Sequence, residues 1–527
     1  MAWLHTWSGL VLSLFLYFIF ITGSIGYFNY EVDHWMTPEA PAHRLQASTE
    51  AMLTLGIDYL QEAAPAARRY FVSLPLERGN PTIRVFATLK QPNEQGDTSI
   101  ERYLHPLTGA PVPLRDTGGG NALYRMHYAL HYIPYDVAIY IVGIATLFML
   151  LALLTGIVTH KKIFKDFFTL RLGKGQRSWL DAHNISSVLA LPFLLMITYS
   201  GLVFYDLEYS PGTLFLTMGV DDAAINEMFA HLRPGVQRPV ETGVQVAGVS
   251  LAEPISAAQQ RWGEGAVRYL EIVHPGDGAA LIRMGNKAQG IGRVGEVLSF
   301  NGVSGEMQPL APAKPADAVF AGSVLALHEG RFASYWLRWA YFLSGLLGAG
   351  MIATGLLLWA KKRRAGRADN VPVEGSLVFI ERTNLAIIVG LPLGIAAYFW
   401  ANRLLPLSMG HRAEWELHVL FITWALSFAH AGARELRRAW REQVALLAAL
   451  FLMLPLLNAF TTDVHLTHAL ATGDWTRAGF DITSLVAGLL LCLVWRVLPQ
   501  PATPPVGRDL PDLDTTPGAA PLTGTKT

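Results

Sequence analysis

The sequence predicts a membrane protein, built as an all-α transmembrane bundle of about eight helices that carries two external α+β modules and contains an internal parallel repeat. Three observations predict it. Of the 527 residues, 51% are hydrophobic and only 16% are charged, with a mean hydropathy of +0.30, which is too apolar for an ordinary soluble protein. Eight stretches approach the ~20 apolar residues that cross a bilayer core. A pattern of histidines and glycines also occurs twice.

The eight predicted spans are separated by polar or basic segments. They cover residues 4–28, 135–159, 183–205, 335–360, 378–400, 414–431, 442–460 and 480–497. By the positive-inside rule, the basic segments 161–177, 361–367 and 434–441 face the cytoplasm. We therefore expect a multi-pass protein of a bacterial inner membrane, with both termini in the cytoplasm. Residues 29–134 and 206–334 are then periplasmic.

The two periplasmic segments share one pattern, an amphipathic helix followed by about three strands. In the first segment the helix covers 48–70, and the strands cover 70–74, 82–89 and a run that ends before His105. In the second the helix lies near 251–262, and the strands cover 267–273, 279–284 and a run that ends at Asn301. Each half of the chain is thus a helix, an outer module and a helix, repeated in the same orientation.

The chain divides accordingly into two repeats and a C-terminal region. The divisions are 1–160 for the first repeat, 161–182 for a basic cytoplasmic loop, 183–360 for the second repeat, 361–377 for another loop, 378–498 for a four-span block without a copy, and 499–527 for a tail. The tail is rich in Pro, Thr, Asp and Gly, which predicts disorder. Cys492 is the only cysteine, so disulfides, Cys-ligated clusters and covalent CxxCH haem attachment are excluded.

Four histidines occupy equivalent places in the two repeats. The tripeptide Ala-Leu-His ends at His131 and again at His328, and each copy precedes a span that closes on Thr-Gly. His5 and His183 each lie eighteen residues before a glycine, Gly23 and Gly201 respectively. Neutral imidazoles from two helices can ligate one haem iron without further protein ligands. The repeat therefore predicts two non-covalent b-type haems.

The histidines form an outer and an inner set. A helix from His131 to His160 would be roughly 44 Å long, about the whole bilayer with headgroups, so these two residues cannot share a haem. We expect His131 and His328 to hold an outer haem. His5 and His183 would hold an inner one. His127, one helical turn from His131, is the alternative outer ligand, and His160 is the alternative inner ligand.

Arginines near these histidines are candidates for the haem propionates, because a guanidinium donates two parallel hydrogen bonds to a carboxylate. They are Arg125 and Arg331 for the outer haem, and Arg171 and Arg177 for the inner haem. The remaining histidines give weaker signals. Those in the C-terminal block, without a cysteine or carboxylate cluster, are poor metal ligands: His411, His418, His430, His465 and His468. His105 and His274, each followed by Pro, are expected at turns.

Two segments resemble a known family. His160-Lys161-Lys162-Ile163-Phe164-Lys165-Asp166-Phe167-Phe168, running on to 173–184, and Leu327-His328-Glu329-Gly330-Arg331-Phe332 are similar to PepSY-associated transmembrane proteins. The similarity is closest to the di-haem inner-membrane reductases that release iron from ferric siderophores. It covers about residues 1–365. At the first span the family often has His-Arg-Trp-Leu-Gly, and this chain has His5-Thr6-Trp7-Ser8-Gly9. The resemblance implies that the outer modules are PepSY-like.

The resemblance also implies a function. Electrons would pass from a cytoplasmic or membrane donor, an unknown reductase or a quinol, through the inner and then the outer haem to a periplasmic ferric siderophore. Oxygen ligands hold hard Fe(III) better than Fe(II), so one electron weakens the complex. The chain would then be a haem b oxidoreductase, a ferric-chelate reductase with the lipid bilayer around it. Its basic residues predict topology and no nucleic-acid partner.

Two other functions compete with this one. A haem-free siderophore or iron permease would need polar groups or interrupted helices near mid-membrane, for which Asn384, Pro392 and Pro455 are the candidates. Alternatively, the outer modules would be PepSY binding surfaces and the spans would only anchor them.

Overall fold

The computed structural model describes residues 2–41, 47–75, 78–92, 96–159, 169–171, 173–205, 209, 239–247, 250–287, 291, 295–310, 315–365 and 374–500. Several predictions fall outside these ranges. They concern His160, most of the basic loop 161–177, much of the second outer segment between 206 and 238, and the tail from 501.

Four long helices form a bundle in which each helix contacts two others. They are α1 (Ala2–Gly26), α5 (Tyr135–Thr159), α6 (Gln176–Val203) and α9 (Tyr335–Ala365). Around the bundle, α1 packs on α5, α5 on α6, α6 on α9, and α9 on α1. The central part of each helix is an almost continuous apolar run, as expected for a helix that packs between neighbouring helices and lipid. The bundle therefore takes two helices from each repeat.

The chain is a membrane-spanning protein. In the described residues six helical segments are long and apolar enough to cross a membrane: α5, α6, α9, Gly375–Leu404, Leu436–Thr461 and Trp475–Val497. The first span would make seven, because Leu12–Gly26 and the next helix form a pair bent by 73°. The predicted span 414–431 lies in the helix Arg412–Ala433, whose first turns carry Arg412, Glu414 and Glu416. A count of eight spans remains a prediction.

Short helices join the bundle to the polar segments. They are α2 (Asn29–Met36) and α4 (Gly119–Ala129) in the first repeat, and α8 (Ala316–Glu329) in the second. Helices α4 and α8 directly precede the long helices α5 and α9. We call the end of the bundle at α4 and α8 the outer end, and the opposite end, where α1 and α6 begin, the inner end.

The two outer segments build one antiparallel sheet. The first supplies α3 (Thr49–Ala63), β1 (Ala67–Ser73), β2 (Ile83–Leu89) and β3 (Ser99–Leu104), and the second supplies α7 (Ala252–Trp262), β4 (Val267–Val273), β5 (Leu281–Asn286) and β6 (Val297–Asn301). The strand order is β3-β2-β1-β4-β5-β6. The helix-and-strand pattern predicted two modules, and the structure joins their strands through β1 and β4.

The junction of β1 and β4 removes two exposed strand edges, which would otherwise invite pairing with other chains. Val72 pairs with Leu270 across it, and both are fully buried. Their side chains belong to one hydrophobic core that also includes Leu53 of α3 and Ile255 of α7. The two halves of the sheet are therefore packed as one body.

The C-terminal block packs beside the bundle. It consists of α10 (Gly375–Leu385), a π-helical turn (Ala386–Gly390), α11 (Leu391–Leu404), α12 (Arg412–Ala433), α13 (Leu436–Thr461), α14 (Leu466–Thr472) and α15 (Trp475–Val497). Within it, α11 contacts α12 and α13, and α13 contacts α15. Tyr17 of α1 donates its hydroxyl hydrogen to the carbonyl of Ile388, 2.9 Å away. The block is thus fixed to the first repeat.

Candidate functional site

Two pairs of histidines face each other at opposite ends of the bundle. At the outer end the ring centroids of His127 and His328 are 5.9 Å apart, and at the inner end those of His5 and His183 are 6.4 Å apart. Each pair takes one histidine from each repeat. Along α1, eighteen residues separate His5 from the glycine beside His127, so the two pairs lie roughly 27 Å apart in height.

Each imidazole lies against a glycine of a neighbouring helix. A side chain on that glycine would occupy the space of the ring or press tightly on it. A Cβ at Gly23 would lie 2.5 Å from Nδ1 of His127, one at Gly201 would lie 3.2 Å from Cε1 of His328, one at Gly156 would lie 3.2 Å from Cε1 of His5, and one at Gly355 would lie 3.3 Å from Cε1 of His183. The four rings thus rest on the glycines that the sequence singles out by their spacing. We call each of these contacts a histidine seat.

In three of the rings Nδ1 is bound to a main-chain carbonyl of the same neighbouring helix, four residues before the glycine. The acceptors are Ile19 for His127, Ala152 for His5 and Met351 for His183, each at 2.9 Å, and the ring of His328 has Ile197, at the corresponding position, as its main-chain partner. Because a carbonyl only accepts, Nδ1 carries the hydrogen and Nε2 carries the lone pair. A histidine held in this way is oriented to ligate a metal through Nε2.

A hydroxyl residue precedes each of the four glycines, and its hydroxyl group donates a hydrogen bond to its own helix four residues back. The pairs are Thr22 to Phe18, Thr155 to Leu151, Ser200 to Met196 and Thr354 to Gly350. This satisfies the hydroxyl group in apolar surroundings. Ser200 Oγ also lies 2.9 Å from Nδ1 of His328. The Thr-Gly and Ser-Gly pairs therefore provide small helix surfaces on which a ring can rest.

A cavity adjoins each histidine pair. The outer cavity has a volume of about 400 Å³ and the inner one about 640 Å³, both in the range of small-molecule and cofactor pockets. Leu16 and Met149 line both cavities and so lie between them. The outer cavity is rich in tyrosines, namely Tyr27, Tyr124, Tyr128, Tyr135, Tyr205 and Tyr209. Both cavities are bounded mainly by apolar side chains.

Burial keeps the outer imidazoles neutral. Loss of hydration lowers the pKa of His127, and it lowers the pKa of His328 to about 3, with a further contribution from the neighbouring His127. Burial therefore favours the unprotonated form of both rings. A neutral ring is the form that ligates a metal.

The expectation that His131 faces His328 has to be corrected. Helix α4 ends at Ala129, and Leu130 and Tyr132 both have positive φ, at 39° and 69°. The ring of His131 consequently turns away from the bundle and stacks on Phe421 of α12, at 5.6 Å and 15°. The structure instead places His127, the alternative outer residue, opposite His328.

Aligning the two repeats on the first residues of the long helices α5 and α9, instead of on the Ala-Leu-His tripeptides, brings His127 close to the position of His328. Counted back from Tyr135 and Tyr335, the first residues of α5 and α9, His127 is eight residues away and His328 is seven. His131 is only four residues from Tyr135. The matching Ala-Leu-His tripeptides are therefore not structurally equivalent. The structure brings His5 and His183 together as predicted, while His160 lies outside the described residues.

In the described part of the chain, none of the four arginines predicted for propionates lines either cavity. Arg171 makes a two-pronged ion pair with buried Asp181, at 2.7 and 2.8 Å, and Arg177 is exposed at the start of α6. Arg331 pairs with Glu329, which lines the outer cavity. Arg125 lies on α4 between Tyr124 and His127.

Sequence reasoning missed two cations of the inner cavity. Lys362 and Arg363 at the end of α9 line it, whereas the sequence pattern of the basic run 361–367 predicts only topology. The guanidinium of Arg363 lies over the ring of Trp359, 5.6 Å from its centroid. Cations that follow directly on an apolar helix are the signal that could have identified them.

Within the described ranges, no group of three or more His, Cys, Asp or Glu side chains is placed to hold a metal ion. His430 pairs with Glu442 at 2.8 Å, and the rings of His465 and His468 are 6.3 Å apart. His274 bonds the carbonyl of Pro239 from a positive-φ position in the turn after β4.

The ring-centroid separations of the two histidine pairs match those expected for two imidazoles on one haem iron. Two metal–nitrogen bonds of about 2 Å, with roughly 1 Å from each nitrogen to its ring centre, place the centroids about 6 Å apart. The observed separations are 5.9 and 6.4 Å. Spacing, tautomer and apolar cavity thus all suit haem iron.

Comparison with known proteins agrees with this architecture. The model of the PepSY-associated TM region matches residues 2–362, which include the four-helix bundle, the sheet and both histidine pairs. No curated protein matches the chain.

Proposed function

Because the chain belongs to the PepSY-associated transmembrane family, we propose that it binds two b-type haems and carries electrons across the bacterial inner membrane. The acceptor would be a ferric siderophore in the periplasm. The observation that carries this proposal is the repetition of one histidine seat four times, with two seats at each end of the same bundle.

The arrangement of the four seats suits electron transfer better than solute transport. A bound haem supplies an iron that takes up and releases one electron. Two such sites at different heights allow an electron to cross the bilayer in steps. Leu16 and Met149 line both cavities, and apolar side chains at this position would limit water between the two sites.

The residues around the seats would set the affinity and the reduction potential of each site. His127 and His328 would ligate the outer iron, and His5 and His183 the inner iron. The hydrogen bonds from Nδ1 to helix carbonyls raise the basicity of Nε2 and stop the rings from rotating. Lys362 and Arg363 would neutralise carboxylates at the inner site.

The acceptor would meet the protein at the outer end. The segments between α1 and α5 and between α6 and α9 carry the six-stranded sheet, so the sheet lies on the same side of the membrane as His127 and His328. One electron delivered to a ferric siderophore converts Fe(III) into Fe(II), which hard oxygen ligands hold weakly. Iron release would follow.

Haem content tests the proposal directly. Protein purified from haem-supplied cells should show reduced b-type bands and bind about two haems per chain. His127→Ala and His183→Ala should each lose one haem. His131→Phe is the matched control, because it removes an imidazole four residues from His127 yet keeps an aromatic ring against Phe421, and it should retain both haems.

The second half of the test concerns the acceptor. Protein reduced with dithionite should be reoxidised when a ferric siderophore is added, and His127→Ala should slow this step strongly. A colourless protein from haem-sufficient cells would rule out the proposal. It would favour the permease or the anchored binding protein.

A further inference from the structure

We propose that the C-terminal block is a clamp that fixes helix α4 at both ends and thereby positions His127. The clamp consists of Tyr398, Asn402, Arg412 and Glu416 at the start of α4, and His418 and Phe421 at its end. The consequence for haem rests on the proposed function, whereas the effect on α4 itself does not. The block lies beyond residue 362, outside the region that the family shares.

Glu416 binds the residues that open α4. Its Oε2 accepts the hydroxyl hydrogen of Thr117 at 2.6 Å and the main-chain N–H of Gly118 at 3.1 Å. Gly118 is the residue immediately before the helix. A carboxylate at this place accepts one of the free N–H groups of the first turn and interacts favourably with the helix dipole. Glu416 thus caps α4 from a different part of the chain.

Three more side chains of the block complete this grip. Asn402 donates to Thr117 Oγ1 at 3.0 Å, and Arg412 donates to the carbonyl of Asp116 at 2.9 Å. Tyr398 donates its hydroxyl hydrogen to the carbonyl of Gly119 at 2.8 Å. All of these block residues are fully buried. The start of α4 is therefore held by hydrogen bonds that water does not compete for.

The glycine run 118–120 makes the close approach possible. A Cβ at Gly118 would lie 2.6 Å from the hydroxyl oxygen of Tyr398, and one at Gly120 would collide with the main chain of Asn29. Gly119 has φ +60°, a conformation that favours glycine. The run is thus explained by contact between α4, α2 and the block.

The end of α4 is held by aromatic stacking. His131 stacks on Phe421, and the ring of Tyr132 stacks on His418 at 5.7 Å and 14°. Tyr132 also hydrogen-bonds His418. Leu130 and Tyr132 adopt positive φ in this loop, a conformation that costs non-glycine residues free energy. The contacts with α12 offset that cost and prevent α4 from shifting along its axis.

The ion pair inside the clamp favours one geometry more than it adds stability. Arg412 and Glu416 are both fully buried, and buried pairs gain little net free energy because both charges lose hydration. Such a pair does penalise any arrangement in which one partner is displaced. His127 lies eight residues, about 12 Å, from Gly119, so movement at the start of α4 would displace its ring.

A pair of matched variants tests the clamp. Tyr398→Phe removes one hydroxyl that binds the first carbonyl of α4. Tyr17→Phe removes another buried tyrosine hydroxyl that joins the block to the first repeat, at Ile388 and not at α4. Tyr398→Phe should speed amide hydrogen exchange across 119–129 by about five-fold. Tyr17→Phe should leave exchange in α4 unchanged.

Glu416→Gln is the second variant, since it keeps the shape of the side chain and removes its charge. It should increase exchange in α4 more than Tyr398→Phe, with exchange in the outer sheet as the test that the protein is folded. If exchange in 119–129 is unaltered in both variants while the sheet is intact, the block is not a clamp. Equal acceleration by Tyr17→Phe would also overturn it.

The haem-loaded protein provides a separate readout. Tyr398→Phe should shift the reduction potential of one haem and speed transfer of that haem to an acceptor apoprotein, without changing the other. Exchange in α4 is measured in haem-free protein, so the clamp can be tested even if the chain binds no haem. Conversely, two bound haems with neither shifted would leave the proposed function intact and overturn the positioning role of the block.

Discussion

Replacing Gly23 by alanine should damage the outer site selectively. The new Cβ would lie 2.5 Å from Nδ1 of His127. Since non-bonded atoms pack at about 3.5 Å, the ring would have to retreat by about 1 Å. That movement breaks the hydrogen bond to Ile19 and leaves a buried donor unpaired, which costs about 1–3 kcal/mol. Alanine also favours the helix over glycine by up to about 1 kcal/mol, which offsets part of this cost.

The net cost at Gly23 is therefore about 1 kcal/mol, equivalent to roughly five-fold weaker binding at the outer site. Titration of haem into haem-free protein, followed by absorbance, measures it. Gly355→Ala should have a smaller effect, because its Cβ would lie 3.3 Å from His183 and the ring need move only slightly. Gly350→Ala, on α9 with no atom within 4 Å, is the control. Equal affinities for Gly23→Ala and Gly350→Ala would refute the reasoning.

Two further predictions concern the parts that support the site. Arg477→Ala should destabilise the protein by about 3–5 kcal/mol, because Arg477 is buried, pairs with Asp474 and donates to the carbonyls of Thr37 and Ala40. Its unfolding midpoint should fall well below that of the exposed control Arg496→Ala. Equal midpoints in the two variants would contradict this prediction. In the outer sheet, main-chain N–H groups of Thr242, Ala279 and Gly243, with the Thr242 hydroxyl, hold the pKa of Asp277 well below its usual range. The stabilisation by Asp277 is therefore complete above the ordinary carboxyl pKa of about 4 and is lost as the pH falls further. Proteolysis around residues 242–244 should consequently increase in acid in the native protein. The Asp277→Asn variant should be cleaved there at every pH, and acid should not increase its cleavage further.

The sequence predicted the repeated helices and strands because their signals are local. Apolar runs mark α5, α6 and α9, and alternation marks strands such as β4, which begins and ends at the expected residues. The joining of β1 to β4 was not predicted, since no local pattern specifies which edge strand pairs with which. Tertiary pairing decides that.

The candidate site was partly predictable for the same reason. In both repeats a histidine, His5 or His183, lies eighteen residues before a glycine. This equal spacing identified the two histidines as equivalent, because a helix preserves such spacing. The loop after α4 obeys no such rule. Its positive-φ residues, held by contacts with α12, direct His131 outward, and only the block far along the chain explains why.

The register between β1 and β4 places Phe71 opposite Glu271, two residues that occupy the same position in their own strands. An approximate two-fold axis therefore passes through this pair, and two identical half-chains could associate by the same strand pairing. Tethering such halves in one polypeptide frees each to diverge.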